Sequence, residues 1–589
     1  MYDPERVTTF ALADSRNRNV EFGIKAKDRT RHVYVIGKTG MGKSTLLENM
    51  AAQDIANGEG MAFIDPHGKT AELLLNYVPE HRLKDVLYFA PFDLEHPISF
   101  NVLEDVGFDK RHLVVSGLMS TFKKIWLDAW SARMEYILSN TLMALLETPG
   151  TTLLGVNRML ADKEYRKKIV DNVKDPSVKS FWVDEFAKYT DKFAAEATPA
   201  IQNKIGQFTS NPLIRNIIGQ PKSSFNLREM MDQNKIIIIN LSKGRVGEAN
   251  ANLLGSMLIT KIYLAAMSRA DVQEKDLQKL PNFYLYVDEF QSFANESFAD
   301  ILSEARKYKL NLTIAHQYIE QMSEEVRAAV FGNVGTMVTF RVGAFDAEIL
   351  EKEFAPQFTA EDLVNLGFAQ IYLKLMIDGV SSMPFSATTM PPIKEPEISL
   401  KQQVIEMSRT QFAMNRDVVE QEVLNWHKDN GQAPKKEPNN GSVTKLSEKI
   451  MEKTTSENEA GRREQNKSEA QEKPVEKKEI VPIKVFERPK YVKREVARPV
   501  APPIPDLPDD DFVPLKDLKP KIESTNNQTN NNLNNHNKKV PDQKSLAELR
   551  AVLQSLNKNK SNEVSKPSVE EKNKPKEIPE DKLRQMLNL

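Results

Sequence analysis

The chain is 589 residues long, carries 81 Lys+Arg against 82 Asp+Glu, and contains no cysteine. That balance gives no global electrostatic footprint for nucleic acid, so any DNA contact has to come from a local patch. The missing thiols exclude a disulfide framework and cysteine-based zinc sites, no run reaches the ~18 apolar residues of a membrane span, and the chain reads as a soluble, cytoplasmic protein of two to four domains.

Residues 1–29 are polar, lack the apolar core of a signal peptide, and read as an N-terminal segment. Over 30–107 short apolar runs alternate with helical stretches. HVYVI (32–36), MAFID (61–65) and DVLYFA (85–90) are predicted strands, with a helix after each of the first two. That alternation predicts an α/β fold built on a parallel, doubly wound sheet. Over 108–222 the strand signal disappears. In WSARMEYILSNTLMALLE, Met134, Ile137, Leu138, Thr141, Leu142 and Leu145 fall on one helical face, so the span is predicted to be an inserted all-α domain. The sheet resumes over 223–392 with KIIIIN (235–240), a long helix, FYLYVDEF (283–290), NLTIAHQ (311–317) and TMVTFRV (336–342), and ends in a β-rich stretch. A C-terminal amphipathic helix is predicted within 393–430. Residues 431–589 are rich in Pro, Asn and charge and cannot bury enough surface to offset their ordering entropy, which predicts a disordered tail. Two short amphipathic stretches interrupt it, one with Leu546, Leu549, Val552, Leu553 and Leu556 on a face, the other with Leu583, Met586 and Leu587. They read equally as docking helices or as transient helices without a role.

GKTGMGKST satisfies G-x-x-x-x-G-K-[ST] between a predicted strand and a predicted helix, the context that gives the motif its meaning. Gly37, Lys38, Thr39, Gly40, Met41, Gly42, Lys43, Ser44 and Thr45 form a candidate ATP-binding loop. The glycines allow a tight turn whose N–H groups converge on phosphate, and the helix N-terminus adds partial positive charge. Lys43 is expected on the β- and γ-phosphates and Ser44 on Mg²⁺. FYLYVDEF supplies the acidic strand end: Asp288 for the Mg²⁺ shell, Glu289 to polarise the attacking water. No guanine-reading N-K-x-D motif is present, which favours ATP over GTP. Gln317 ends the strand expected beside Asp288 and Glu289, where it can sense the γ-phosphate or orient water. Arg306 is a candidate arginine finger for a neighbouring subunit, with Arg327 and Arg341 as rivals and a surface helix-end cation as the plain alternative. Asp65, His67 and Gly68 in DPHG end the second strand, near the crevice or as a capped turn. Lys243 and Arg245 sit on a predicted Gly-containing loop, as DNA contacts or as a solvated basic loop.

Together HVYVIGKTGMGKSTLL, FIDPHGK, INLSKGRVGEANANLLGS, LYVDEFQSF and SEARKYKLNLTIAHQY resemble the FtsK/HerA superfamily of DNA-pumping ATPases, and most of all the conjugative coupling proteins of type IV secretion (the VirD4/TraD/TraG group), over roughly residues 20–390. The resemblance implies a RecA-like, ATP- and Mg²⁺-dependent motor acting as a hexameric ring around DNA, with Lys43, Asp288, Glu289, Arg306 and Gln317 in the roles above. It also implies secretion-channel or relaxosome partners met through the all-α domain or the tail. Coupling proteins usually begin with transmembrane helices, which this sequence is not expected to contain, so membrane docking would come through partners. Two other functions compete: a HerA-like chromosomal repair or segregation pump, and an ATP-driven assembly or scaffold protein with protein cargo.

Overall fold

A computed structural model describes residues 3–428, apart from 16–17, 105, 191–196 and 296. The tail expected over 431–589, with its two amphipathic stretches, lies outside the described residues. The centre is an eleven-stranded sheet in the order β2-β1-β13-β10-β9-β3-β8-β7-β4-β6-β5. Seven strands are mutually parallel: β9 (Thr336–Thr339), β3 (Val33–Ile36), β8 (Leu310–His316), β7 (Phe283–Val287), β4 (Gly60–Asp65), β6 (Ile236–Asn240) and β5 (Val86–Phe89). Almost every residue in them is buried, as expected of parallel strands covered on both faces. Their side chains alternate between two cores. Val33, Val35, Met61, Phe63, Ile236, Ile238, Tyr284 and Tyr286 share one core with the helix Lys43–Ala56. Tyr34, Ile36, Ala62, Ile64, Ile237, Ile239, Leu285 and Val287 belong to the other, which includes the helix Glu248–Met267. This is the doubly wound α/β arrangement that the strand–helix alternation predicts.

The remaining four strands are antiparallel. β10 (Gln370–Lys374) pairs with β9, and β13 (Phe385–Thr389) with β10. The N-terminal segment then adds β1 (Val7–Ser15) and β2 (Arg18–Lys25) as a hairpin, β1 pairing with β13 from the far end of the domain. The stretch read as a polar lead-in is therefore part of the sheet. A small hairpin, β11 (Met376–Ile377) with β12 (Val380–Ser381), stands apart from it.

Between β5 and β6 every described regular element is a helix. Met134, Ile137, Leu138, Thr141, Leu142 and Leu145 are all buried on the helix Ala132–Leu146, whose N-cap Ser131 accepts from Met134 N–H. The helical span has no separate core: its apolar residues are continuous with the sheet face under Glu248–Met267. That long helix is apolar enough to cross a membrane by length and composition, contrary to the expectation that no run qualifies. It is apolar all round because it is packed on both sides inside the fold.

The single C-terminal helix expected over 393–430 is two. Lys401–Phe412 covers the edge strand β5, its Ser408 hydroxyl accepting from Tyr88 N–H at 2.9 Å. Arg416–Lys428 crosses to the helical span, where the Arg158 guanidinium lies between the Tyr165 and Trp426 rings.

A buried ion pair ties the N-terminal segment to this frame. Arg29 donates to both carboxylate oxygens of Asp54 at 2.7 and 2.8 Å, to Tyr286 Oη at 2.6 Å and to Thr8 Oγ1 at 3.1 Å, and its guanidinium lies 3.7 Å from the Tyr284 ring centre. One side chain thus joins β1, the helix Lys43–Ala56 and β7. Arg29→Met leaves Asp54 charged and unpaired in the interior, and a loss of about 3–5 kcal/mol is expected in denaturant unfolding, whereas replacing both partners with apolar residues should cost much less.

His32, just before β3, gives the second prediction. Its Nδ1 accepts Leu312 N–H at 3.1 Å and its Nε2 faces Leu302 C=O at 3.2 Å, which fixes the neutral Nε2–H tautomer. Burial, opposed by the Leu302 carbonyl and helped by the charge of Arg306, pulls the ring down to about 4 from its ordinary 6.5. The unfolded chain therefore binds the extra proton first, so this contribution is complete above pH 6.5 and is lost as pH falls toward 4. At pH 5 the loss amounts to about 2 kcal/mol. Thermal unfolding from pH 7.5 to 5 should fall less steeply in His32→Gln than in the parent.

Candidate active site

The site is built at the carboxyl ends of three neighbouring parallel strands, β8 ending level with β3 and two residues beyond β7. Ile36 is in register with His316, and Val287 with Ile314. One step past those ends lie the loop Gly37–Thr45, the pair Asp288–Glu289, and Gln317. The expectation that Gln317 ends the strand beside Asp288 and Glu289 is what the sheet order shows, with β8 between β3 and β7.

The loop follows β3 and opens the helix Lys43–Ala56, whose N-cap is Gly42 at φ +117°. Gly42 needs that left-handed geometry, and a Cβ on Gly37 would come within 2.5 Å of Phe340 Cβ. The loop is pinned at its base by Gly37 N–H to His316 C=O, 3.2 Å, and Lys38 N–H to Arg341 C=O, 2.8 Å. Lys43 is buried and donates to the carbonyls of Gly37 at 2.6 Å and Lys38 at 3.2 Å. Burial lowers its ammonium, against the pull of Glu289 and Asp288.

Ser44 donates to Asp288 Oδ2 at 3.1 Å, bringing the two predicted metal residues together. Burial, with Glu289 and Asp65 adding repulsion, pushes Asp288 up to about 6. Glu289 beside it goes the other way. Burial works to raise it, but hydrogen bonds from His67, Gln317 and Gln291 and the charge of Lys43 hold it down at about 2. Gln317 Nε2 and Gln291 Nε2 each donate to a different oxygen of Glu289, and His67 Nε2 stands 3.7 Å from Oε1. Gln317 Oε1 in turn accepts from Thr39 of the phosphate loop at 3.1 Å. One amide therefore bridges the loop and the acidic strand end.

The structure brings Asp65, His67 and Gly68 to this edge as well. Asp65 caps the turn, accepting His67 N–H at 2.7 Å and Ala71 N–H at 2.9 Å, and the turn presents His67 to Glu289. The capped turn and the crevice position are both present. His67 and Gln291 were not assigned contacts to Glu289 from the sequence; the DPHG motif pointed to the first, and no local signal marks the second.

Arg306 is elsewhere. It is exposed on the turn Ala305–Tyr308 that precedes β8, at the opposite end of the strand from Gln317. Seven residues of strand at about 3.3 Å each separate it from its own phosphate loop by about 20 Å. Of its rivals, Arg341 flanks the loop through its carbonyl, and Arg327 is half-buried on the helix Glu324–Asn333. Lys243 and Arg245 lie on a one-turn helix rather than a loop, and both are engaged. Lys243 reaches Glu248 at 3.0 Å and Ser292 at 3.1 Å, while Arg245 pairs with Glu72 at 3.3 Å over the Phe92 ring.

The residues present fit a nucleotide triphosphate with a divalent cation. Lys43 spends its donors on loop carbonyls, and Asp288 sits among carboxylates whose summed charge is unbalanced. Among the described residues no cluster of three or more acidic or histidine side chains forms a self-contained metal site. A cation held here would rest on Asp288 and Ser44 together with phosphate oxygens, the usual arrangement for Mg²⁺.

A search of curated proteins finds no match. Among solved structures, the bacterial conjugative coupling protein TrwBdeltaN70 in an unbound form is 14% identical, covering 66% of this chain and 90% of that one at a TM-score of 0.48. The plasmid coupling protein TrwB in complex with ADP and Mg²⁺ is 14% identical, covering 64% and 90% at 0.48. VirB4 of Thermoanaerobacter pseudethanolicus is 13% identical, covering 68% and 99% at 0.42. A family profile, the type IV secretion-system coupling protein DNA-binding domain, matches residues 20–364. That span is more than half of the chain and contains the phosphate loop, the acidic strand end and the helical insertion, so this chain belongs to the coupling-protein DNA-binding domain family of type IV secretion systems.

Proposed function

We propose that the protein is a Mg²⁺-dependent ATPase that moves DNA as a ring of identical subunits and delivers it to a type IV secretion-like channel from the cytoplasmic side. The observation that carries the ATPase reading is the bridge Thr39–Gln317–Glu289, which links the phosphate loop to the acid beside the water position. ATP is the substrate class the absent N-K-x-D motif favours, and Mg²⁺ would neutralise charge on its phosphates. Lys43 exchanges its loop carbonyls for phosphate oxygens. Ser44 and Asp288 would hold the cation, which would favour the ionised form of Asp288. Glu289, kept anionic, accepts a hydrogen bond from water and orients it. The amides of Gln317 and Gln291 fix the direction of that carboxylate while it holds the water.

The DNA reading rests on family membership, and the ring reading on the position of Arg306. An arginine at the far end of β8 cannot serve its own site, but it can serve a neighbour's. The ion pairs of Lys243 and Arg245 must open before either residue can bind phosphate.

Two variants test the chemistry. Lys43→Ala should abolish tight ATP binding. Glu289→Gln should keep binding and lose turnover, because its target is water rather than ground-state phosphate. Wild-type hydrolysis by Glu289→Gln would overturn its role. Steady-state ATPase with and without DNA on a chain ending at residue 430 decides whether DNA stimulates it.

The trans role of Arg306 has its own test. Arg306→Ala should bind ATP normally and hydrolyse it roughly 10³-fold more slowly, the lower end of arginine-finger effects. Mixed with Glu289→Gln under subunit exchange, it should regain activity, since some interfaces then pair an intact Glu289 with an intact neighbouring Arg306. Gln317→Ala should not be rescued in this way. Strictly additive rates across mixing ratios would return Arg306 to the status of a surface cation.

A further inference from the structure

We propose that Lys124, on the first helix of the helical insertion, is a positioning residue for Glu289, acting through the backbone of Gln291. The proposal rests on reading Glu289 as the group that orients the attacking water. Lys124 belongs to the helix Arg111–Ile125, far from the phosphate loop in sequence. Its ammonium donates to Gln291 C=O at 2.6 Å and to Ala294 C=O at 2.5 Å. Gln291 is also the residue whose side-chain amide donates to Glu289. One residue thus takes the lysine on its carbonyl and gives its amide to the catalytic acid.

The grip is wider than one side chain. Thr121, on the same helix, accepts Asn295 Nδ2 at 3.2 Å, both groups being buried, and Ser120 meets Ser297 at 3.2 Å. From the other side, Ser256 Oγ donates to Phe293 C=O at 3.3 Å and Lys243 donates to Ser292 Oγ. The segment after the acidic strand end is held between the insertion and the motor's own helices. Exposed lysines ordinarily keep their rotamer freedom, and fixing one has an entropic cost. Here an exposed side chain has its charged end fixed on two carbonyls three residues apart. A displacement of Gln291 by about an ångström would release Glu289, the scale of misplacement that slows catalysis without blocking binding. The insertion is then part of the catalytic machinery, and whatever binds it can act on turnover along this route.

Because Lys124 is exposed, its removal does not hollow the core. Lys124→Met should lower kcat for ATP about tenfold with KM within about twofold, and leave the thermal midpoint unchanged. Hydrogen exchange of the amides 290–297, measured on the full chain without nucleotide, should speed up. Lys124→Arg keeps a cation within reach of both carbonyls and should recover most of kcat. Parent-like kcat and parent-like exchange in Lys124→Met would overturn the proposal. So would equal losses in the Met and Arg variants accompanied by a lower thermal midpoint, the mark of a merely structural contact. A parent protein without ATPase activity would overturn the reading of Glu289 instead, and the exchange data alone would then decide whether Lys124 holds the segment.

Discussion

The phosphate loop, the acidic pair and Gln317 depend on one constraint: β8 lies between β3 and β7, ending level with β3 and two residues beyond β7. Parallel strands cannot be joined by short turns, so the three strands come from distant parts of the sequence and meet only through the sheet. Thr39 and Gln317 are 278 residues apart and share a hydrogen bond. A slip of one residue in β8 would turn His316 outward and carry Gln317 away from Glu289. The register is locked from below as well as above. His32, preceding β3, bonds to the backbone at Leu312 of β8 near its start, and Tyr34 Oη lies 3.1 Å from His316 Nδ1 near its end. Two buried histidines thus set the alignment that the site requires.

The same register decides the electrostatics. Asp288 and Glu289 are adjacent in sequence but leave the strand in different directions, one toward the floor of the sheet beside Ser44, the other toward Gln317 and His67. Burial dominates the first and pushes it up, whereas donors surround the second and hold it down. Two like carboxylates placed side by side divide in this way whenever their surroundings differ, and here Glu289 stays the anion while Asp288 is the more readily protonated.

The parallel core was legible in the sequence because buried parallel strands are written as continuous apolar runs such as KIIIIN and FYLYV, and the phosphate loop is written in glycines. The helical insertion was legible from the period of Met134 to Leu145. The hairpin β1–β2 was not. Its apolar residues, Phe10, Phe22 and Ile24 among them, sit in short stretches within a charged segment, and its pairing partner β13 lies more than 370 residues away. Nothing local in the sequence marks Arg29, and only the fold shows Asp54 and Tyr286 closing around it. Lys243 and Arg245 read as a free basic loop because their acidic partners, Glu248 and Glu72, are assigned to them by folding rather than by spacing alone. Lys124 carried no signal at all, since a lysine near a helix end is ordinary and its acceptors are backbone carbonyls, which every sequence contains.

The backbone of Glu289 distinguishes it from an ordinary solvated acid. An acidic pair at a strand end facing water is common and would sit in relaxed geometry. Glu289 instead adopts a left-handed conformation, φ +48°, ψ +49°, which a side chain with a Cβ enters at a cost of about 1–3 kcal/mol. Asp288 steadies the turn by accepting Glu289 N–H at 2.9 Å. Gln291 and Gln317 then hold the carboxylate from both sides, and Gln291 is itself gripped by Lys124. A solvated surface pair would have no need of these contacts, and without them the chain could relax. Strain maintained by residues from β7, β8 and the helical insertion together aims one carboxylate at the space before the phosphate loop. That convergence sets Glu289 apart from a solvated acidic pair.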